Sequence, residues 1–237
     1  MSSATAKDIH IVLKKLGNDL IAEHSQRFFK TGKGEYAEGD KFLGIRVPVL
    51  RKQAQNYKDL SIKETLLLLK SSFHEARLLA LFILTKKFAE SSDKQKSEIY
   101  NLYLQNMQHI NNWDLVDSSA PYIVGAYLEK RDKAMLYKLA ASKRLWERRI
   151  AIVATFYLIR KNNFTDTLAI AELLLKDKED LIHKAVGWML REVGKRDLEI
   201  LKSFLKRYYT EMPRTMLRYA IERFPEKERR AYLSGSV

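Results

Sequence analysis

Residues 111–117 read NNWDLVD, and Trp113 and Asp117 stand four apart, a spacing that puts both on one face of an α-helix. An indole and a carboxylate would then point the same way. Two readings of Asp117 stay open from its position alone: a structural ion pair with an Arg of a neighbouring helix, or a chemical role. Two more segments carry aromatic and basic groups at helical spacing: Trp146 with Arg148 and Arg149, and Lys184 with Trp188, Arg191 and Lys195. A lone Trp at such spacing is more often core than platform, and Trp146 is read as core.

Other chemistries are poorly supplied. The five histidines, His10, His24, His74, His109 and His183, are scattered without a ligand spacing such as HExxH, and no GxSxG occurs. Cysteine is absent, which excludes a thiol nucleophile, disulfides, zinc–thiolate sites and iron–sulfur clusters. The stretch TGKGEYAEGDKFLG at 31–44 holds a loose GxGxxA at Gly32, Gly34 and Ala37, but a helical pattern precedes it where the dinucleotide fingerprint needs a strand. Lys33 is followed by Gly34 instead of Ser or Thr, so it is no Walker loop either. Glu35, Glu38 and Asp40 read as a solvated acidic turn. Neither a metal nor a cofactor is expected.

The chain has 43 Lys and Arg against 29 Asp and Glu, a formal charge of +14. A polyanion relieves such self-repulsion, which makes nucleic acid the leading partner. The charges are spread along the sequence, as in Lys143-Arg144, so a footprint must be assembled by folding and its binding must weaken as salt rises. No segment approaches the roughly 18 consecutive apolar residues of a membrane span. The opening MSSATAKDIH lacks the basic-then-apolar order of a signal peptide. A soluble, cytoplasmic, nucleoid-associated protein is expected.

The elements that must position these residues are helical. Only 9 Gly and 4 Pro occur in 237 residues, and apolar side chains recur at three and four almost throughout. This predicts helices over 6–29, 49–57, 62–69, 74–89, 93–107, 113–129, 132–140, 146–160, 165–175, 180–194, 198–209 and 214–224, with 31–44 as a long loop. The segments HEARLLALFILTKKF, WERRIAIVATFYLIR, LIHKAVGWMLREVGK and PRTMLRYAIERF resemble one another at a period matching one helix pair. The expected fold is all-α: a single domain over 1–237, a right-handed α-solenoid of HEAT/armadillo-like repeats with a concave basic face. Stacking would bring Trp113, Asp117, Arg149 and Trp188 onto that face.

The combination of FLGIRVPVLR, WDLVD, WERRIAI and AVGWMLRE resembles the AlkD family of HEAT-like-repeat DNA alkylation repair glycosylases, over about residues 25–225. The resemblance implies a DNA-3-methyladenine or 7-methylguanine glycosylase that works on duplex DNA without a cofactor, as a monomer. It makes Asp117 the catalytic carboxylate, Trp113, Trp188 and Arg149 the substrate-binding residues, and Arg46, Arg51, Arg148 and Arg191 contacts to the DNA backbone. Phe28-Phe29 stands where some relatives carry a Tyr, Asn112 where a second Trp can precede the motif, and Arg46 where a smaller polar residue can follow Gly-Ile.

These residue types suit that reaction. A purine alkylated at N3 or N7 is cationic and needs no protonation to leave, and the sugar becomes oxocarbenium-like, which a carboxylate can stabilise while positioning water. Indole faces attract the cationic base. A non-catalytic helical scaffold for nucleic acid or an acidic protein needs the charge and curvature but not Asp117, and a purely structural interaction module needs neither.

Overall fold

The computed structural model describes residues 4–237; residues 1–3, which open the MSSATAKDIH stretch, lie outside the described residues. Among those described there is no strand, only an isolated bridge between Lys41 and Phe73. No helix among them is long and apolar enough to cross a membrane. The backbone divides into two compact units, 1–119 and 120–237.

The first unit contains α1 (Ala6–Leu16), α2 (Asp19–Phe28), α3 (Val47–Asn56), α4 (Ile62–Leu69), α5 (His74–Glu90), α6 (Asp93–Gln105) and the short α7 (Trp113–Asp117). Helix α5 is its centre, with α3, α4, α6 and α7 packed around it. Its residues 76–84 are buried in an unbroken run, which explains why its apolar pattern runs all round. The helix expected over 6–29 is two helices. Gly17 is extended, and Asn18 restarts the chain by accepting the Ile21 amide on its side chain at 3.0 Å. Residues 29–46 are the long irregular segment expected there.

The second unit follows a π-turn at Pro121–Gly125 with α8 (Ala126–Leu128), α9 (Ala134–Ala140), α10 (Leu145–Ile159), α11 (Thr165–Leu173), α12 (Asp180–Gly194), α13 (Leu198–Tyr208), α14 (Arg214–Ala220) and α15 (Glu226–Ser234). Helices α10, α12 and α14 pack in series, α9 and α11 lie on one another, and each partner helix covers the row. Their starts at 145, 180 and 214 are one helix pair apart, so the unit is an all-α helical repeat. Gly187 lets α12 approach α14: a Cβ there would stand 2.5 Å from the Met216 carbonyl oxygen. The continuous helix expected over 113–129 is broken, because Pro121 has no amide to donate to the preceding turn. Helix α15, led in by Pro225, lies beyond the last helix expected.

Candidate functional site

Helix α7 has five residues, too few to hold its own shape in water, so the orientation of Trp113 and Asp117 is imposed by neighbours. Trp113 is half-buried and stacks on Phe29, ring centroids 5.3 Å apart, while Phe28 meets it edge-on at 6.1 Å. Phe29 continues the stack to Phe42 and His74 at 5.1 and 5.0 Å. Phe28 itself is 58% exposed.

Asp117 is half-buried at the last position of α7. Within its electrostatic reach is the fully buried Tyr103, whose hydroxyl bonds Ser119 Oγ at 3.0 Å. Ser119 gives its own proton to the Leu115 carbonyl at 2.6 Å, so Tyr103 is the donor. Burial pushes the Tyr103 phenol up, and the nearby charge of Asp117 adds to this.

The other end of α7 is held by an ionic cluster that the sequence reading did not foresee. His74, 2% exposed, donates from Nε2 to Asp114 Oδ2 at 2.7 Å and from Nδ1 to Asp40 Oδ2 at 3.3 Å. Arg77 reaches the same Asp40 oxygen at 2.7 Å, and Asn111 donates to Asp40 Oδ1 at 3.3 Å. Both nitrogens of the ring face carboxylates, which only accept, so the imidazole must carry two protons. Burial works against that charge, but Asp114 and Asp40 outweigh it and push the imidazole up to about 9. Burial likewise opposes ionisation of Asp40, yet His74 and Arg77 hold its carboxyl below the usual range.

The loop that delivers Asp40 is itself pinned to α5. Lys41 accepts the His74 amide at 2.8 Å, and the buried Glu75 carboxylate accepts the amides of Leu43, Gly44 and Ile45 at 2.9, 2.8 and 3.2 Å. Gly44 has φ +77°, and a Cβ there would fall on the Asn18 carbonyl oxygen. The FLGIR segment is thus a tightly tied turn. The acidic stretch before it is not a solvated cluster throughout. Glu35 and Glu38 do cap the Gly32 and Gly34 amides at the surface, but Asp40 turns inward to the two cations. Arg46 and Arg51, which follow, are exposed, and Arg51 lies over the Phe82 ring at 4.7 Å.

In the second unit, Arg149 and Trp188 lie on the packed helices α10 and α12. Trp188 is half-buried against Phe156, centroids 5.7 Å apart. Arg149 is only 5% exposed, and its Nη1 donates to the Leu181 carbonyl at 2.5 Å. Arg148 forms a two-pronged pair with Asp177, Nε–Oδ2 2.5 Å and Nη2–Oδ1 3.2 Å, and also donates to the Ser142 carbonyl at 3.0 Å. Arg191 pairs with Glu222. Trp146 is half-buried. The residues singled out in the sequence therefore divide between the units: Trp113, Asp117, Arg46 and Arg51 in the first, Arg148, Arg149, Trp188 and Arg191 in the second.

The model of the family described as DNA alkylation repair enzyme matches residues 9–224, nearly the whole chain. The chain belongs to that family. The resemblance read from WDLVD and GWMLRE is borne out at this level. Among solved structures, a predicted DNA alkylation repair enzyme from Enterococcus faecalis is similar at 16% identity and TM-score 0.67, covering 89% of this chain and 97% of its own. AlkD2 from Streptococcus mutans is similar at 17% identity and TM-score 0.55, covering 88% and 98%. The Streptococcus mutans UA159 protein smu.31 gives 19% and 0.55, covering 76% and 93%. At these identities the likeness shows the shared helical-repeat fold. No curated protein matches the chain.

Proposed function

We propose that this member of the DNA alkylation repair family is a DNA glycosylase that hydrolyses the N-glycosidic bond of cationic N3- or N7-alkylated purines in duplex DNA. One observation carries the reading: a half-buried carboxylate, Asp117, shares a short, externally braced helix with an indole that is stacked on Phe29. That is a rigidly presented anion beside an aromatic face, which suits a positively charged nucleoside.

As the bond between C1′ and the purine nitrogen breaks, its electrons neutralise the cationic base, and the deoxyribose takes up the positive charge. Asp117 stabilises that charge and orients the water that attacks C1′. Trp113 and Trp188 are assigned to the cationic base and sugar edge, each contact contributing about 0.5–2 kcal/mol when partly desolvated. Arg149, steadied by the Leu181 carbonyl, is assigned to the phosphate beside the lesion. Exposed Arg46 and Arg51 supply sequence-independent contacts to the backbone, and Arg191 does so by exchanging Glu222 for phosphate. Arg148, committed to Asp177, acts by bracing α10. The protein works as a monomer in the cytoplasm, without a cofactor.

The test is incubation of the purified protein with methylated duplex DNA and chromatography of the released bases. Release of 7-methylguanine or 3-methyladenine is expected. Tight, salt-sensitive binding without any released base would replace the enzyme with a DNA-binding scaffold.

A further inference from the structure

A buried ionic cluster ties α7 to the irregular loop and to α5. Four ionisable groups are gathered there from three stretches of chain: Asp40 from the irregular loop, His74 and Arg77 from the first turn of α5, and Asp114 from α7. They form two cations and two anions, nearly dry, roofed by the Phe29 and Phe42 rings that lie 5.0 and 4.6 Å from the imidazole. A buried charge network gains little stability over an apolar core of the same size, so its presence points to orientation.

The connections converge on α7. Asp114 sits in its first turn and spends one oxygen on the Leu115 amide at 2.9 Å and the other on His74. Asn111, two residues before the helix, is tied to Asp40. The imidazole ring also reaches Trp113 through Phe29, which stacks between them. The side-chain bonds that tie Asn111 and Asp114 to other parts of the first unit therefore lead to His74 or to the Asp40 that His74 holds. A helix of five residues has no rigidity of its own to resist rotation if these are cut.

We propose that His74 is a positioning residue: its doubly donating ring, bridging Asp40 and Asp114, fixes the rotation of α7 and so sets the direction in which Trp113 and Asp117 are presented to DNA. Its effect on turnover rests on the glycosylase reading, whereas its effect on Trp113 does not. A displacement of about 1 Å in a catalytic group can cost on the order of a hundredfold in rate, so a modest swing of α7 is enough to matter.

The experiment uses the full chain, which has only three Trp and so three indole N–H resonances in a 1H–15N spectrum. His74→Ala removes both donors, Asp114→Asn leaves the ring but removes its anionic anchor, and His74→Gln restores a donor at the Nε2 position. In His74→Ala and Asp114→Asn the Trp113 resonance is expected to move while those of Trp146 and Trp188 stay, and in His74→Gln it returns most of the way. With methylated duplex, kcat is expected to fall about tenfold or more in the first two variants while KM stays within about threefold, and His74→Gln recovers most of it. If His74→Ala unfolds, Asp114→Asn and His74→Gln carry the same comparison. A Trp113 resonance unmoved in Asp114→Asn, or a kcat lost equally in His74→Gln and His74→Ala, overturns the proposal. Absence of excision by the unmutated protein would refute the glycosylase reading and leave the indole comparison to decide the positioning role.

Discussion

Raising the pH from 6 to 10 should remove a specific part of this protein's stability, and the part is set by His74. The ring is 2% exposed and is faced by Asp40, by Asp114 and, on its own helix, by Arg77. The two carboxylates raise its proton affinity from 6.5 to about 9 in spite of its burial. The folded protein then holds this proton more tightly than the unfolded chain. Its stabilising contribution is complete below the unfolded value of 6.5 and is lost as pH rises through about 9. The difference is worth about 3 kcal/mol, a large share of the margin of a domain this size. Lys and Tyr side chains also titrate in this range, so the quantity to measure is the difference between the protein and His74→Gln, which does not titrate at that position. Urea unfolding at pH 6, 7, 8, 9 and 10 gives both curves. The difference should shrink by about 3 kcal/mol between pH 6 and 10, most steeply from pH 7 to 9. Parallel curves across the whole range would refute the doubly protonated bridge.

Two further outcomes follow from the same geometry. Glu75→Ala leaves three backbone amides at 43–45 without their acceptor and should cost about 3–5 kcal/mol by chemical unfolding, with Glu75→Gln recovering only part; a cost below about 1 kcal/mol would mean that water replaces the carboxylate. Arg148→Ala strands Asp177, 5% exposed, and should destabilise by about 3–5 kcal/mol while leaving the salt dependence of DNA binding unchanged; a shallower salt slope would return Arg148 to the backbone contacts the resemblance implied.

What the sequence disclosed, and what it hid, follows the range of the interactions. The spacing of Trp113 and Asp117 needs only helical geometry, and both do sit on one short helix. The helix pairs of the second unit come from a period in the apolar residues and appear at the expected places. The two breaks were also written locally: Gly17-Asn18 is a stop followed by a cap, and Pro121 ends a turn, but the strong apolar pattern on either side masked them. The His74 cluster was out of reach. Its partners lie 34 and 40 residues away in sequence, Asp40 sits among surface-type residues, and Asp114 is the inner member of a motif whose outer members drew attention. Nor does a linear pattern disclose that Arg149 is 5% exposed, or that it bonds the Leu181 carbonyl 32 residues further on. Arg148 in the first turns of α10 and Arg191 in the last turn of α12 read as open cations; Asp177 and Glu222, which pair with them, lie 29 and 31 residues further along the chain.

The central claim concerns one carboxylate, and the most direct measurement is single-turnover release of 7-methylguanine from a defined duplex by Asp117→Asn. The substitution keeps the side chain's size and removes only its charge. The rate is expected to fall about a hundredfold or more with duplex affinity within a few-fold and melting temperature nearly unchanged. A variant that binds, folds and excises at close to the original rate would contradict the account.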